Sequence, residues 1–234
     1  MSNRLVIFKN KLLKKKNNNK SKILSRYFKT GKGEYGEGDI FLGISVVDQR
    51  KIIKEFLNLS LLELQDLLNS KFHEFRLSAL LILIQKYQLA DEKEKKKIVR
   101  FYLKNIRNIN NWDLVDVSVY KILGHYLFDK DRKIIYKLVR SKNLWARRMA
   151  VVATLYFIKK HDLKDIFSLA KILIRDENDL IHKAVGWMLR EAGKKDQERL
   201  ESFLLKEGKK MPRVMLRYAI EKMAEQKRAL MLNK

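Results

Sequence analysis

Apolar residues recur at every third or fourth position along most of the chain from Val47 onward, in stretches that short polar segments separate. This spacing is that of an amphipathic α-helix, whose apolar face repeats about every 3.6 residues. Capping residues stand at several expected helix starts. Ser60 and Glu63 match a capping box, and Asn111 and Asn143 can each accept the first unpaired amides of a helix. The pattern predicts a succession of helix–loop–helix pairs.

A small apolar residue in a similar neighbourhood recurs at Ala79, Val115, Ala150, Ala184 and Ala219, at intervals of 34 to 36 residues. This interval fits one helical hairpin with its two turns, as in HEAT and armadillo repeats. Each hairpin can bury its apolar face only against its neighbours, so such hairpins stack into a solenoid. We predict an all-α fold, a right-handed solenoid of HEAT-like helical hairpin repeats with a basic concave groove.

Composition narrows both the fold and the chemistry. The 234 residues include nine glycines and one proline, too few for turn-rich β-sandwiches and barrels. The chain has no cysteine, which excludes disulfides, thiolate nucleophiles and cysteine-ligated metals. His73, His125, His161 and His182 lack metal-ligand spacing, and we interpret them as hydrogen-bonding residues on the surface or between helices. We expect no metal and no cofactor.

The charge of the chain indicates a polyanionic partner. Lys and Arg total 52 against 27 Asp and Glu, which gives a net charge of +25 and favours nucleic acid. The longest largely apolar stretch, Leu77 to Ile84, is far shorter than the roughly 20 residues that span a bilayer. The amino terminus lacks the apolar core of a secretion signal. We therefore expect a soluble, intracellular protein without a membrane partner.

Basic residues crowd the amino-terminal end of the chain. The first 33 residues include eleven Lys or Arg and no acid, and a segment of this kind buries little apolar surface. We predict that residues 1–20 form a basic, flexible arm. An amphipathic helix over Leu5, Phe8 and Leu12 is the alternative.

The rest of the chain, residues 21–234, is predicted to be a single HEAT-like repeat domain with one long glycine-rich loop at residues 30–43. Five of the nine glycines lie between Gly31 and Gly43, and three of them match G-x-G-x-x-G. That motif binds a dinucleotide only after a strand, where this sequence indicates a helix, so we expect no dinucleotide site. The glycines are expected to permit tight turns or a close approach of the backbone.

The segment Asn110–Asp116 contains the candidates for chemistry. Trp112 and Asp116 are four residues apart, so a helix that begins after Asn111 places them on one face, about 6 Å apart. Each candidate also has a structural interpretation. Asp116 can form an ion pair, Asp113 can stabilise the helix dipole, and a tryptophan at helical spacing is usually a core residue. The residues alone indicate a basic helical solenoid with a Trp–Asp pair.

Several segments together resemble the AlkD-type DNA alkylation repair proteins, which are HEAT-like-repeat DNA glycosylases. The resemblance spans most of the chain, although the glycine-rich loop is longer than in the best-known branch of that family. It implies that Trp112, Asp116 and Trp187 are catalytic and that Arg148 binds a DNA phosphate. The segments follow the order and approximate spacing of the family: Tyr27–Asp39 with Phe41–Ile44, Asn111–Asp116, Trp145–Arg148 and Lys183–Glu191.

The resemblance also implies a reaction. The enzyme would hydrolyse the N-glycosidic bond of cationic N3- or N7-alkylated purines in duplex DNA, and would release 3-methyladenine and 7-methylguanine. It would need no metal and would not enclose the base in a pocket. We expect a monomer in the cytoplasm, acting at the nucleoid, or in the nucleus of a eukaryote. The alternative, which composition and repeats fit equally well, is a non-catalytic HEAT-like scaffold that binds DNA or RNA.

Overall fold

The regular structure of the protein is helical. The computed structural model describes residues 2–232, and this range contains no β-strand beyond one isolated bridge between Ile40 and Phe72. The predicted all-α class is confirmed. The chain divides into two compact units, Met1–Ser118 and Val119–Lys234, and the single domain predicted over 21–234 stays a prediction. No helix in the described range is both long enough and apolar enough to cross a bilayer.

The first unit combines short capped helices with one long loop. The predicted capping box is present, because the Ser60 hydroxyl accepts from the Glu63 amide at 3.3 Å and the Glu63 carboxylate accepts from the Ser60 amide at 2.7 Å. The helices are α1 (Asn3–Leu13), α2 (Asn18–Tyr27), α3 (Val46–Ile53), α4 (Leu61–Leu68), α5 (His73–Leu89), α6 (Glu92–Lys104) and α7 (Trp112–Val119), with 3-10 turns at Lys54–Phe56 and Ile106–Asn108.

The second unit is a series of helical hairpins. Its elements are a π-helical segment (Tyr120–Gly124), α8 (His125–Leu127), α9 (Lys133–Leu138), α10 (Leu144–Lys159), α11 (Lys164–Leu173), α12 (Asp179–Gly193), α13 (Gln197–Glu207), a 3-10 turn (Gly208–Lys210), α14 (Arg213–Ile220) and α15 (Glu225–Leu232). Asn143 caps α10 as predicted, accepting from the Trp145 amide at 2.8 Å. Within this unit α10 packs against α9, α11 and α12, and α12 packs against α13 and α14, so successive hairpins stack in chain order.

The repeat seen in the sequence corresponds to one helix of each successive pair. Its five positions lie on α5, α7, α10, α12 and α14 in that order, and each side chain is at most 1% exposed. Small residues are expected at such positions because two helices approach closely there. The positions are Ala79, Val115, Ala150, Ala184 and Ala219.

The amino-terminal segment differs from the predicted flexible arm. Residues 3–13 form α1, which buries an apolar stripe of Leu5, Phe8 and Leu12, each at most 2% exposed. Ion pairs fix the basic side, as where Lys9 Nζ lies 2.7 Å from an oxygen of Asp66. The prediction of a flexible arm is therefore wrong, and the segment is a packed helix. Its apolar residues are three or four positions apart and form one buried face, while the basic residues occupy the other faces.

The glycine-rich loop connects α2 to α3 and is held by its own turns, as expected. Gly33, Gly38 and Gly43 have φ of 79°, 86° and 79°, a region that side-chain-bearing residues rarely adopt. Gly43 also approaches the start of α2, where a Cβ on this residue would lie 2.1 Å from the Asn17 carbonyl oxygen. The loop therefore needs glycine at residue 43 for both conformation and space.

Candidate functional site

Helix α7 carries two of the predicted site residues, and Asn111 lies immediately before its first residue. The Asn111 side-chain oxygen accepts from the Trp112 amide at 2.8 Å, and its amide nitrogen donates to Asp39 at 3.3 Å. Trp112 and Asp116 then lie one turn apart on the same helix, and both side chains are half-buried. This arrangement follows the spacing that the sequence predicted.

Trp112 ends a stack of four rings inside the first unit. Its ring centre lies 5.1 Å from that of Phe28, with 17° between the planes. Phe28 stacks on Phe41 at 4.8 Å, and Phe41 stacks on His73 at 4.4 Å. Tyr27 adds an edge contact to Trp112 at 6.0 Å. The stack joins α2, the glycine-rich loop, α5 and α7.

A buried chain of charged groups lies beside the stack. His73 Nδ1 lies 2.9 Å from an oxygen of Asp39, and His73 Nε2 lies 2.8 Å from an oxygen of Asp113. Arg76 donates to the second oxygen of Asp39 at 2.5 Å. Asp113 also accepts from the Leu114 amide at 2.8 Å in the first turn of α7, where the sequence predicted a carboxylate that stabilises the helix dipole. His73 therefore bridges the glycine-rich loop and α7.

These contacts keep His73 protonated. Burial alone would lower the pKa of His73, but the charge of Asp113 and the hydrogen bonds with Asp113 and Asp39 raise it to about 9. Burial acts in the opposite direction on Asp39, yet its hydrogen bond with His73 and the charge of Arg76 hold the pKa of that carboxyl below its ordinary value. At neutral pH His73 is thus an imidazolium, with Asp39 on one side of its ring and Asp113 on the other.

The charge of Asp116 acts on a buried polar pair. The Tyr102 hydroxyl and the Ser118 hydroxyl are 2.8 Å apart, and both side chains are fully buried. Burial raises the pKa of Tyr102, and the negative charge of Asp116 adds to that increase. The phenol is therefore neutral, and the Asp116 carboxylate is close enough for its charge to affect the pKa of Tyr102.

A cavity of about 470 Å³ opens beside the ring stack, entirely within the first unit. Its wall is mainly apolar and aromatic, and Trp112, Asp113 and His73 all border it. Tyr27 stands 62% exposed at this wall. The cavity therefore borders the side of the stack on which His73 lies.

The other two predicted site residues belong to the second unit. Arg148 lies on α10, is 5% exposed, and donates from Nη1 to the Leu180 carbonyl oxygen at 2.6 Å. Trp187 lies half-buried on α12, the helix that packs against α10. Trp145, interpreted as a packing residue, is 7% exposed. The described residues include no group of three His, Asp or Glu side chains placed to hold a metal ion.

Comparison with known proteins decides the family. The family model for DNA alkylation repair enzymes matches residues 8–223. The chain belongs to this family. A solved structure, that of a predicted DNA alkylation repair enzyme from Enterococcus faecalis, superposes on 90% of this chain and 98% of its own with a TM-score of 0.70, at 19% identity. That likeness shows a shared fold. No curated protein matches the chain.

In this member of the DNA alkylation repair enzyme family, the sequence indicated Trp112 and Asp116 as candidates but did not indicate the charged groups beside the ring stack of Trp112. Asp39 and Asp113 are 34 and 40 residues from His73 in the chain, so no local spacing relates the three. The interpretation of His73 as a hydrogen-bonding residue between elements fits its contacts. Only the placement of Asp113 in a first helical turn gave a signal, and it indicated a carboxylate that stabilises the helix dipole rather than one that bonds to His73.

Proposed function

We propose that the protein is a DNA glycosylase that hydrolyses the N-glycosidic bond of purines made cationic by alkylation at N3 or N7 in duplex DNA. One observation supports this most strongly. A chain of the DNA alkylation repair enzyme family carries Trp112 and Asp116 one turn apart on α7, both half-buried. An indole face and a carboxylate side by side are suited to a cationic transition state.

The chemistry requires little beyond charge and position. A cationic purine is already a good leaving group, and the sugar passes through an oxocarbenium-like state as the bond to C1′ breaks. Asp116 supplies a fixed negative charge beside that centre and orients the attacking water. Trp112 and Trp187 offer π faces to the developing cation. Partial burial strengthens these interactions, because less water screens them.

DNA binding would depend on the backbone rather than on the base. The net charge of +25 supports strong binding to phosphates, which does not read sequence. Arg148 is proposed to contact one phosphate, in addition to the hydrogen bond that its Nη1 donates to the Leu180 carbonyl oxygen. A site that holds the backbone need not enclose the base in a pocket, so bulky adducts should be accepted.

Replacement of Asp116 tests the catalytic assignment. Asp116→Asn keeps the shape of the side chain but removes its charge, and should slow base release by at least about 100-fold. DNA affinity should be unchanged or slightly higher, because a negative charge near phosphate is lost. The measurement is release of 3-methyladenine and 7-methylguanine from methylated duplex, with EDTA present.

The matched control is Asp91→Asn. Asp91 caps α6 by accepting from the Glu94 amide at 2.7 Å, and asparagine caps equally well. This variant removes the same charge from an exposed site and should release bases at the wild-type rate. Full activity of Asp116→Asn would refute the assignment.

Replacement of Arg148 tests the phosphate contact. Arg148→Ala should reduce the slope of log affinity against log salt by about one phosphate contact. Arg148→Lys retains the charge and should restore most of that slope, while both variants lose stability because the hydrogen bond to Leu180 is lost. Equal slopes for the wild type and Arg148→Ala would show that this side chain has only a structural role.

The alternative function is that of a non-catalytic, HEAT-like protein that binds DNA or RNA. The charge of the chain fits it as well as it fits a glycosylase. The same assay separates the two. Tight, salt-sensitive binding of methylated duplex by the wild type, without release of any base, would favour the alternative.

A further inference from the structure

His73 contacts both of the structures that set the position of Trp112. Through Nε2 it is bonded to Asp113, the residue that follows Trp112 and caps the first turn of α7. Through its ring face it closes the stack that runs by way of Phe41 and Phe28 to the indole. We infer that His73 is a positioning residue, which holds α7 and the Trp112 ring in the orientation that the proposed reaction uses.

The first route acts on the backbone of α7. Asp113 accepts from the Leu114 amide at 2.8 Å with one oxygen and faces His73 at 2.8 Å with the other. The opposite nitrogen of His73 faces Asp39, whose side chain is 3% exposed and which also accepts from Asn111. The start of α7 is therefore held on both sides of Trp112: Asn111, just before it, donates to Asp39, and Asp113, just after it, is bonded to His73.

The second route acts on the indole ring itself. The plane of Phe41 lies 23° from that of His73, and the plane of Phe28 lies 17° from that of Trp112. Offset stacking of rings at these distances restricts rotation of each ring. Loss of the imidazole would leave one face of Phe41 without its neighbour and give the rest of the stack room to shift.

Only an imidazolium satisfies this position. The ring has two N–H donors on opposite sides, and each meets a carboxylate, Asp39 from the loop and Asp113 from α7. The third charged neighbour is Arg76, on the same helix as His73, which pairs with Asp39. A neutral ring would turn one lone pair toward a carboxylate, and a side-chain amide carries both of its N–H donors on one nitrogen, so it could not face carboxylates on opposite sides.

The first test measures the indole directly and needs no catalysis. In a Trp145→Phe, Trp187→Phe background the only tryptophan is Trp112, and acrylamide quenching of its fluorescence reports how well the ring is held. His73→Ala should increase quenching severalfold. Added imidazole, which can enter through the cavity beside the stack, should reverse the increase.

The second test measures base release and rests on the proposed function. In the native tryptophan background, His73→Ala should lower kcat by about 10-fold, as expected for a misplaced group, with little change in KM. Imidazole should restore kcat. The control is Ser78→Ala. Ser78 lies on α5, as His73 does, and its buried hydroxyl donates to Gln49 at 3.0 Å rather than to α7. This variant should leave kcat and quenching at wild-type values.

If His73→Ala does not fold, a variant that keeps the shape of the side chain can test the positioning role. Asp113→Asn breaks the charge contact with His73 but retains an oxygen for the Leu114 amide. It should increase quenching of Trp112 and lower kcat in the same direction. Unchanged quenching in both variants, or equal effects of Ser78→Ala and His73→Ala, would overturn the inference. A wild type that releases no base while the quenching results hold would refute the proposed function and leave the positioning role standing.

Discussion

The first unit should lose stability as the pH rises from about 6.5 to 9, because His73 is protonated in the folded state. The pKa of His73 is raised from 6.5 to about 9 in the folded protein. A group with a raised pKa contributes its full stabilisation below the unfolded pKa, and that contribution is lost as the pH rises through the folded pKa. One pKa unit corresponds to about 1.4 kcal/mol, so the contacts of protonated His73 with Asp39 and Asp113 stabilise the folded state by about 3 kcal/mol at low pH.

The measurement is urea unfolding between pH 6 and 10, followed through Trp112 in the Trp145→Phe, Trp187→Phe background. This probe lies in the first unit. His73→Gln is the comparison, because glutamine does not titrate and Asp39, Arg76 and Asp113 remain in place. The free energy of unfolding of the parent should fall toward that of the variant as the pH rises through about 9, the folded pKa of His73, with the change nearly complete by pH 10.

Subtraction of the two curves removes the titration of all other groups that the proteins share. Parallel curves for the parent and His73→Gln across this range would refute the reasoning. They would mean that the two carboxylates do not stabilise the charged form of His73 over its unfolded state, whatever the distances between the atoms.

Two further predictions concern the loop and the amino-terminal helix, and both are read from thermal or urea unfolding. Gly43→Ala should destabilise the protein by about 2 kcal/mol or more, because a Cβ would collide with the Asn17 carbonyl. Gly33→Ala, with the same φ of 79° and open space around it, should cost clearly less, and equal costs would argue against the collision. Phe8→Ala should cost about 3–5 kcal/mol; a cost near zero would restore the flexible arm.

Local patterns were sufficient to predict a succession of helices from Val47 onward. The capping box at Ser60 and the caps at Asn111 and Asn143 depend on residues within three positions of each other, and all three form. The repeat of small buried residues likewise needs only a regular interval. Features that arise from local spacing can be found in a single sequence, because the interacting groups are neighbours along the chain.

Contacts between distant residues explain what the sequence did not predict. Phe8 packs its ring against Phe56 at 5.1 Å, and Lys9 pairs with Asp66. Neither partner can be recognised from the basic run that surrounds α1, so composition indicated an arm. His73 was missed as a bridge for the same reason, since its two carboxylates come from a loop and from a different helix.

The two aspartates of α7 show how one short helix can separate positioning from chemistry. Asp113 shares its charge with the His73 imidazolium and the Leu114 amide, so it has less to offer a second cation. Asp116 lies one full turn beyond Trp112, so a sugar held against the indole would meet Asp116 before Asp113. In the proposed reaction, Asp113 therefore fixes the helix on which Asp116 acts, and each variant should fail differently: Asp116→Asn in base release alone, and Asp113→Asn in base release together with the order of the indole.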